Sequence, residues 1–182
     1  MEKDEKKENF YVFLDFDGVL NDFRTIPNIF KLGGFLVSSK DTNTFNKGSI
    51  DAVNYLLETL STKYNTKLVL STTWRRNPEK AKQVLYNNGL NYDGEIDCTP
   101  RYRGRKRAFE ILKYLVDHEH NKINFVTIDD KKHINHFFKK SNCISTSLFN
   151  ALDMSKVINY LDTFHKDTIE INPPKDLCGF EK

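Results

Sequence analysis

The stretch Phe13-Leu14-Asp15-Phe16-Asp17-Gly18-Val19-Leu20-Asn21 sets two carboxylates, one residue apart, directly after an apolar run. Asp and Gly are common turn residues, so by itself the stretch reads as a turn. Two further apolar runs end in a similar way. Lys67-Leu68-Val69-Leu70 leads into Ser71-Thr72-Thr73, and Asn124-Phe125-Val126-Thr127-Ile128 leads into Asp129-Asp130. Four aspartates gathered at one edge repel one another unless a cation or a proton compensates. A hard divalent ion with oxygen ligands, most simply Mg²⁺, is the natural counter-charge. One carboxylate of the Asp15/Asp17 pair is then placed to attack as a nucleophile while the other handles protons. Gly18 lets the chain turn sharply beside them, and Ser71 supplies a hydroxyl donor for an anionic substrate. The competing reading of Asp129-Asp130 is a helix N-cap ahead of KKHINHFF.

These residues need a scaffold, and the hydrophobic pattern supplies one. Residues 10–14, 67–70 and 124–128 read as strands, with a short fourth near Cys143-Ile144. Helical spacing covers Ser49 to Leu60, with Ser49 as N-cap, then 78–86, 106–118 and about 153–164. Strands alternating with helices predict an α/β domain with a mainly parallel sheet. In such sheets ligands sit beyond the carboxyl ends of the strands, where all three polar clusters fall. Residues 21–47 lose their period and read as a long loop with one hairpin. The expected division is a mobile segment over 1–9, one domain over 10–165 and a tail over 166–182.

Bulk properties restrict the partners. The 182 residues suit a single domain with a real core. A net charge of +3, from 28 basic and 25 acidic residues, does not mark a nucleic-acid binder overall. Three scattered cysteines without CxxC spacing favour reduced thiols over a disulfide framework or zinc site. With no signal peptide pattern and no long apolar run, the expectation is a soluble, cytoplasmic chain without a membrane partner. A local basic run, Arg101-Tyr102-Arg103-Gly104-Arg105-Lys106-Arg107, reads either as a nucleic-acid contact or as a solvated charge run.

Taken together, the set resembles the haloacid dehalogenase-like (HAD) superfamily of phosphatases. DFDGVL is similar to its first motif, the run ending at Ser71 to its second, and FVTIDD to its acidic fourth. GRKRAFEI offers Lys106 and Arg107 as candidates for the basic third. LDFDGVLN, LSTTWR, Thr99-Pro100, Arg107-Ala108-Phe109-Glu110-Ile111 and the Asp129-Asp130 pair resemble one branch more closely. That branch is the HAD domain of Swiss-army-knife RNA repair proteins, and the likeness spans roughly residues 10 to 165. The resemblance implies a Rossmann-like three-layer α/β/α sandwich with minimal or no cap. It implies that Asp15 attacks phosphorus to give an aspartyl-phosphate, and that Asp17 protonates the leaving alcohol and then activates water. The second Asp accompanies phosphatase rather than dehalogenase chemistry in this superfamily.

The resemblance further implies Mg²⁺ held by Asp15, the backbone carbonyl of Asp17, Asp129 and Asp130. Ser71 and the motif-three cation, Arg107 or Lys106, would hold the phosphoryl oxygens. Thr72, Arg75 and Gly18 are the expected substrate contacts. The intervals between motifs are too short for a full cap, which suits an exposed phosphate such as a nucleic-acid end. The Phe23–Phe45 loop is the candidate specificity element. A small-molecule phosphatase of nucleotide type and a non-catalytic binding module are the alternatives.

Overall fold

The structure, a computed structural model, describes residues 7–22, 45–104, 106–118, 122–164 and 169–170. Strand β1 (Asn9–Leu14) is followed by α1 (Lys47–Ser61), β2 (Asn65–Leu70), a 3₁₀ turn (Thr73–Arg76) and α2 (Pro78–Asn87). After these come β3 (Ile96–Cys98), α3 (Arg107–His118), β4 (Lys122–Asp129), α4 (Lys132–Phe137), β5 (Cys143–Ser145), α5 (Met154–Thr163) and β6 (Ile169–Glu170). The five main strands are all parallel, in the order β3-β2-β1-β4-β5. The order reverses between β1 and β4, and that switch point opens a crevice beyond their carboxyl ends.

Alternate residues of β1 face opposite layers, as strand geometry requires. Phe10, Val12 and Leu14 join Ile50, Val53, Leu56, Leu57, Leu85 and Val157 in one core cluster. Tyr11 and Phe13 join Ile111, Tyr114, Leu115 and Ile134 in the other. Helices α1, α2 and α5 therefore cover one face of the sheet and α3 and α4 the other, giving a Rossmann-like three-layer α/β/α sandwich. Among the described residues no helix is long and apolar enough to cross a membrane.

Several boundaries differ from the sequence reading, each for a physical reason. Asn46, not Ser49, caps α1, its side chain accepting from the Gly48 N–H at 2.9 Å. Ser49 is buried instead and its Oγ donates to the Leu152 carbonyl at 2.6 Å, tying α1 to the start of α5. Helix α4 has Lys131 at its cap position with no side-chain cap bond, so neither Asp129 nor Asp130 serves as its N-cap. Strand β3 is an addition, and β6 pairs antiparallel with the start of β4 from within the segment read as a tail. Residues 77–98 are occupied by α2 and β3, both parts of the core. The long loop, its hairpin and nearly all of the Phe23–Phe45 element lie outside the described residues.

Candidate active site

Asp15 follows β1 directly, and its N–H donates to the Ile128 carbonyl at 3.0 Å, extending the β1–β4 ladder by one residue. Asp129 is the last residue of β4, with its carbonyl accepting from Thr146 N–H at 3.2 Å. Two carboxylates, each only 2% exposed, are thereby held side by side on neighbouring strands. Arg107, the first residue of α3, reaches between them. One guanidinium nitrogen donates to Asp15 Oδ2 and, at 2.7 Å, to Asp129 Oδ2. The second oxygen of each aspartate takes a backbone donor: Phe16 N–H to Asp15 at 2.9 Å, and Lys131 N–H to Asp129 at 2.8 Å.

Burial decides the electrostatics. It pushes the Asp15 carboxyl up from the ordinary 3.8 to about 6, against the opposing charge of Arg107 and with help from Asp129. Burial likewise raises Asp129. Arg107 is held more firmly protonated, because the two carboxylates outweigh the cost of enclosing it. An acidic pair that stays this hard to ionise with a cation already present has room for more positive charge.

After Asp15 the chain makes one tight turn, with Leu20 N–H donating to Phe16 O at 2.8 Å. The turn brings Asn21 back over Asp17, so that its Nδ2 donates to Asp17 Oδ1 at 3.2 Å. Trp74 Nε1 donates to the other oxygen, Oδ2, at 3.3 Å. The Trp74 ring is itself fixed by Phe16 and Phe45, with ring centroids 5.6 and 6.0 Å away. Gly18 sits in the left-handed region at φ 75°, and a Cβ there would lie 2.9 Å from Asp130 Cβ and Oδ2. Only glycine allows the loop after β1 to approach the loop after β4 so closely.

The other expected site residues divide into those that face the centre and those that do not. Ser71 follows β2, with its N–H on Leu14 O at 3.0 Å; the residue is 1% exposed, and its hydroxyl has no hydrogen-bond partner among the described residues. Thr72 caps the 3₁₀ turn, its Oγ1 accepting from Trp74 N–H at 3.3 Å, rather than presenting its side chain for a substrate. Gly18 has no spare N–H, because it donates to Asn21 Oδ1 at 3.0 Å. Lys106 is exposed, while its neighbour Arg107 enters the centre.

Arg75 is engaged by the fold as well. Its guanidinium donates to the Thr72 carbonyl at 2.6 Å and forms an ion pair with Glu110 of α3, both side chains being 7% exposed. Glu110 also accepts Tyr102 N–H at 2.9 Å. The sequence reading did not single out Asn21, Trp74 and Glu110 as supports of the site. All three lie inside the motif strings and carried a weak signal. The bond from Glu110 to a residue 35 positions earlier carried none.

Asp15, Asp129 and Asp130 each offer a carboxylate oxygen, and these lie within 4.8 Å of one another. Such a hard, all-oxygen set suits a Mg²⁺-like cation. The Asp17 carboxylate stands outside that group and faces Trp74 and Asn21. The buried Ser71 hydroxyl, which follows the neighbouring strand and has no partner among the described residues, fits an anionic ligand, since a buried polar group without a partner is costly. A family model described as the HAD domain in Swiss Army Knife RNA repair proteins matches residues 11–157. No curated protein matches the chain. A match over most of the chain, on a parallel sheet that ends in an acidic centre, shows that the chain belongs to this HAD family, which points to a phosphatase-type hydrolase.

Proposed function

We propose that the domain is a Mg²⁺-dependent phosphomonoester hydrolase that works through an aspartyl-phosphate on Asp15. Its substrate would be an exposed phosphate such as the end of a nucleic acid. The observation that carries the reading is the buried pair Asp15/Asp129 bridged by Arg107, with the Asp17 carboxylate held separately by Asn21 and Trp74. One carboxylate is thus paired with a guanidinium and another is held apart from it, which is the division that nucleophile and proton carrier require.

In the first half-reaction a carboxylate oxygen of Asp15 bonds to phosphorus and the bond from phosphorus to the alcohol oxygen breaks. Asp17 gives its proton to that leaving oxygen. In the second, Asp17 takes a proton from water as the water oxygen bonds to phosphorus and the Asp15–phosphorus bond breaks, releasing phosphate. Arg107 and the Ser71 hydroxyl supply donors for the phosphoryl oxygens, where transition-state charge is spread. Asp15, Asp129 and Asp130, with the Asp17 carbonyl, would hold the Mg²⁺ ion. When bound, that ion would neutralise the phosphoryl charge and lower the repulsion met by the attacking carboxylate.

The nucleic-acid part of the reading draws on the family description and on exposed basic residues around the site. The test is phosphate release from an aryl phosphate and from 5′- and 3′-phosphorylated oligonucleotides, with and without Mg²⁺, for the wild type and Asp15→Asn. The expected result is release that needs both Mg²⁺ and Asp15, faster on an oligonucleotide than on the matching mononucleotide. Equal rates on the two would favour the small-molecule reading. No Mg²⁺-dependent release from any of them would overturn the phosphatase.

A further inference from the structure

Exposed arginines stand on one side of the acidic centre, where β2 and β3 end. The 3₁₀ turn after β2 ends on Arg76, and the loop after β3 carries Arg101 and Arg103. All three are exposed, and among the described residues none of them forms an ion pair. The two segments leave adjacent strands, with Leu70 paired to Cys98 and Thr99 N–H donating to Leu70 O at 3.0 Å. The loop after β5, Thr146 to Asn150, holds no charged residue, and Lys131 after β4 is paired with Asp130 at 3.0 Å. Among the described residues the free guanidinium groups therefore gather on the β2–β3 side of the centre.

A charge run that only solvates the surface needs no fixed geometry, yet this one has it. Glu110 joins both segments from beneath, pairing with Arg75 through one oxygen and holding Tyr102 N–H through the other. The Tyr102 ring packs edge-on to Phe109, centroids 5.7 Å apart, and Gly104 turns the chain at φ 76°. Enclosing a charged pair is expensive, and here the enclosed pair anchors the segments that carry Arg76, Arg101 and Arg103. Arginine presents a planar fork that matches phosphate oxygens. With Tyr102 engaged by the fold, the outward groups read phosphate rather than bases.

We infer that Arg76, Arg101 and Arg103 form a track for the backbone of a polynucleotide whose terminal phosphate enters the Asp15 centre; the last clause rests on the phosphatase reading above. The track makes binding salt-dependent and indifferent to base sequence.

The experiment measures binding of a dye-labelled, 5′-phosphorylated single-stranded oligonucleotide by fluorescence anisotropy from 50 to 200 mM salt. Asp15→Asn is the background, so turnover does not intervene, and it is compared with the same protein carrying Arg76→Ala, Arg101→Ala and Arg103→Ala. Each single-strand phosphate contact contributes about 0.7 to the slope of log affinity against log salt, so three contacts give about 2. The triple variant is expected to lose that slope, which is about a 16-fold difference in salt response over the range. Lysine at the three positions should keep the slope. With Asp15 present, the triple variant should hydrolyse an aryl phosphate like the wild type and unfold at the same temperature. An unchanged salt slope, or an acidic phosphopeptide losing the same factor as the oligonucleotide, would overturn the track. Absence of hydrolysis in the wild type would refute the phosphatase reading and leave this binding test intact.

Discussion

Glu110→Gln removes one charge from a pair that the fold has enclosed. Both side chains are 7% exposed, so water screens the remaining Arg75 cation poorly. Breaking a buried pair by removing one partner costs about 3–5 kcal/mol, because the survivor is left uncompensated. Arg75 keeps its bond to the Thr72 carbonyl at 2.6 Å, and the glutamine oxygen can still accept Tyr102 N–H, so the low end applies. With a urea m-value of about 2–3 kcal/mol/M, a loss of about 3 kcal/mol moves the midpoint down by about 1–1.5 M. Replacing both partners, Arg75→Met with Glu110→Leu, removes the buried charge altogether. That double variant should recover most of the loss, less about 1 kcal/mol for the orphaned Tyr102 N–H. The assay is urea unfolding of Glu110→Gln beside the wild type, and of Arg75→Met, Glu110→Leu and their double, which with the wild type close a double-mutant cycle. A Glu110→Gln loss below about 1 kcal/mol, or a double variant no better than the single, would refute the reasoning.

Trp74→Phe keeps the packing against Phe16 and Phe45 but removes the donor to Asp17. It should lower kcat about tenfold, the worth of about 1.4 kcal/mol for one bond to a charged group, with KM little changed in steady-state kinetics. Gly18→Ala must place a Cβ 2.9 Å from Asp130 at a positive φ. It should cost about 1–2 kcal/mol in stability and raise the Mg²⁺ concentration needed for half-maximal activity. In EDTA, Asp15 holds its proton up to about pH 6 when folded but releases it near 3.8 when unfolded, because burial disfavours its charge. Ionised Asp15 therefore erodes stability as pH rises through that window, by up to about 3 kcal/mol above it. Asp15→Asn should be the more stable protein at pH 8 and should show no such gain at pH 4, as read from urea midpoints at the two pH values.

Strands β1, β2 and β4 were legible because a central parallel strand is buried on both faces and so spells a continuous apolar run. Strand β3 was not, since three residues at the sheet edge carry too little pattern. The start of α1 was misread at Ser49 because a serine facing the core looks like a cap until its partner, Leu152, is known. The same division holds at the site. Asp15 and Asp129 follow or end apolar runs, so their place at one edge of the sheet could be read from the chain. Lys106 and Arg107 could not be separated, because adjacent residues at a helix start differ by about 100° in direction and only the packing of α3 decides between them. Arg75 was expected at the substrate, and the Glu110 that holds it is distant in sequence. Trp74 and Asn21 act through the turn geometry around Asp17, which hydrophobic periodicity does not encode.

The central claim is that Asp15 carries the phosphoryl group. The most direct measurement is borohydride reduction of the protein during turnover of an aryl phosphate, followed by peptide mass analysis. An acyl phosphate on Asp15 would be reduced to the alcohol, so the account predicts homoserine at position 15 and unchanged Asp17, Asp129 and Asp130. Phosphate release with Asp15 unmodified throughout, or reduction at another aspartate, would contradict it.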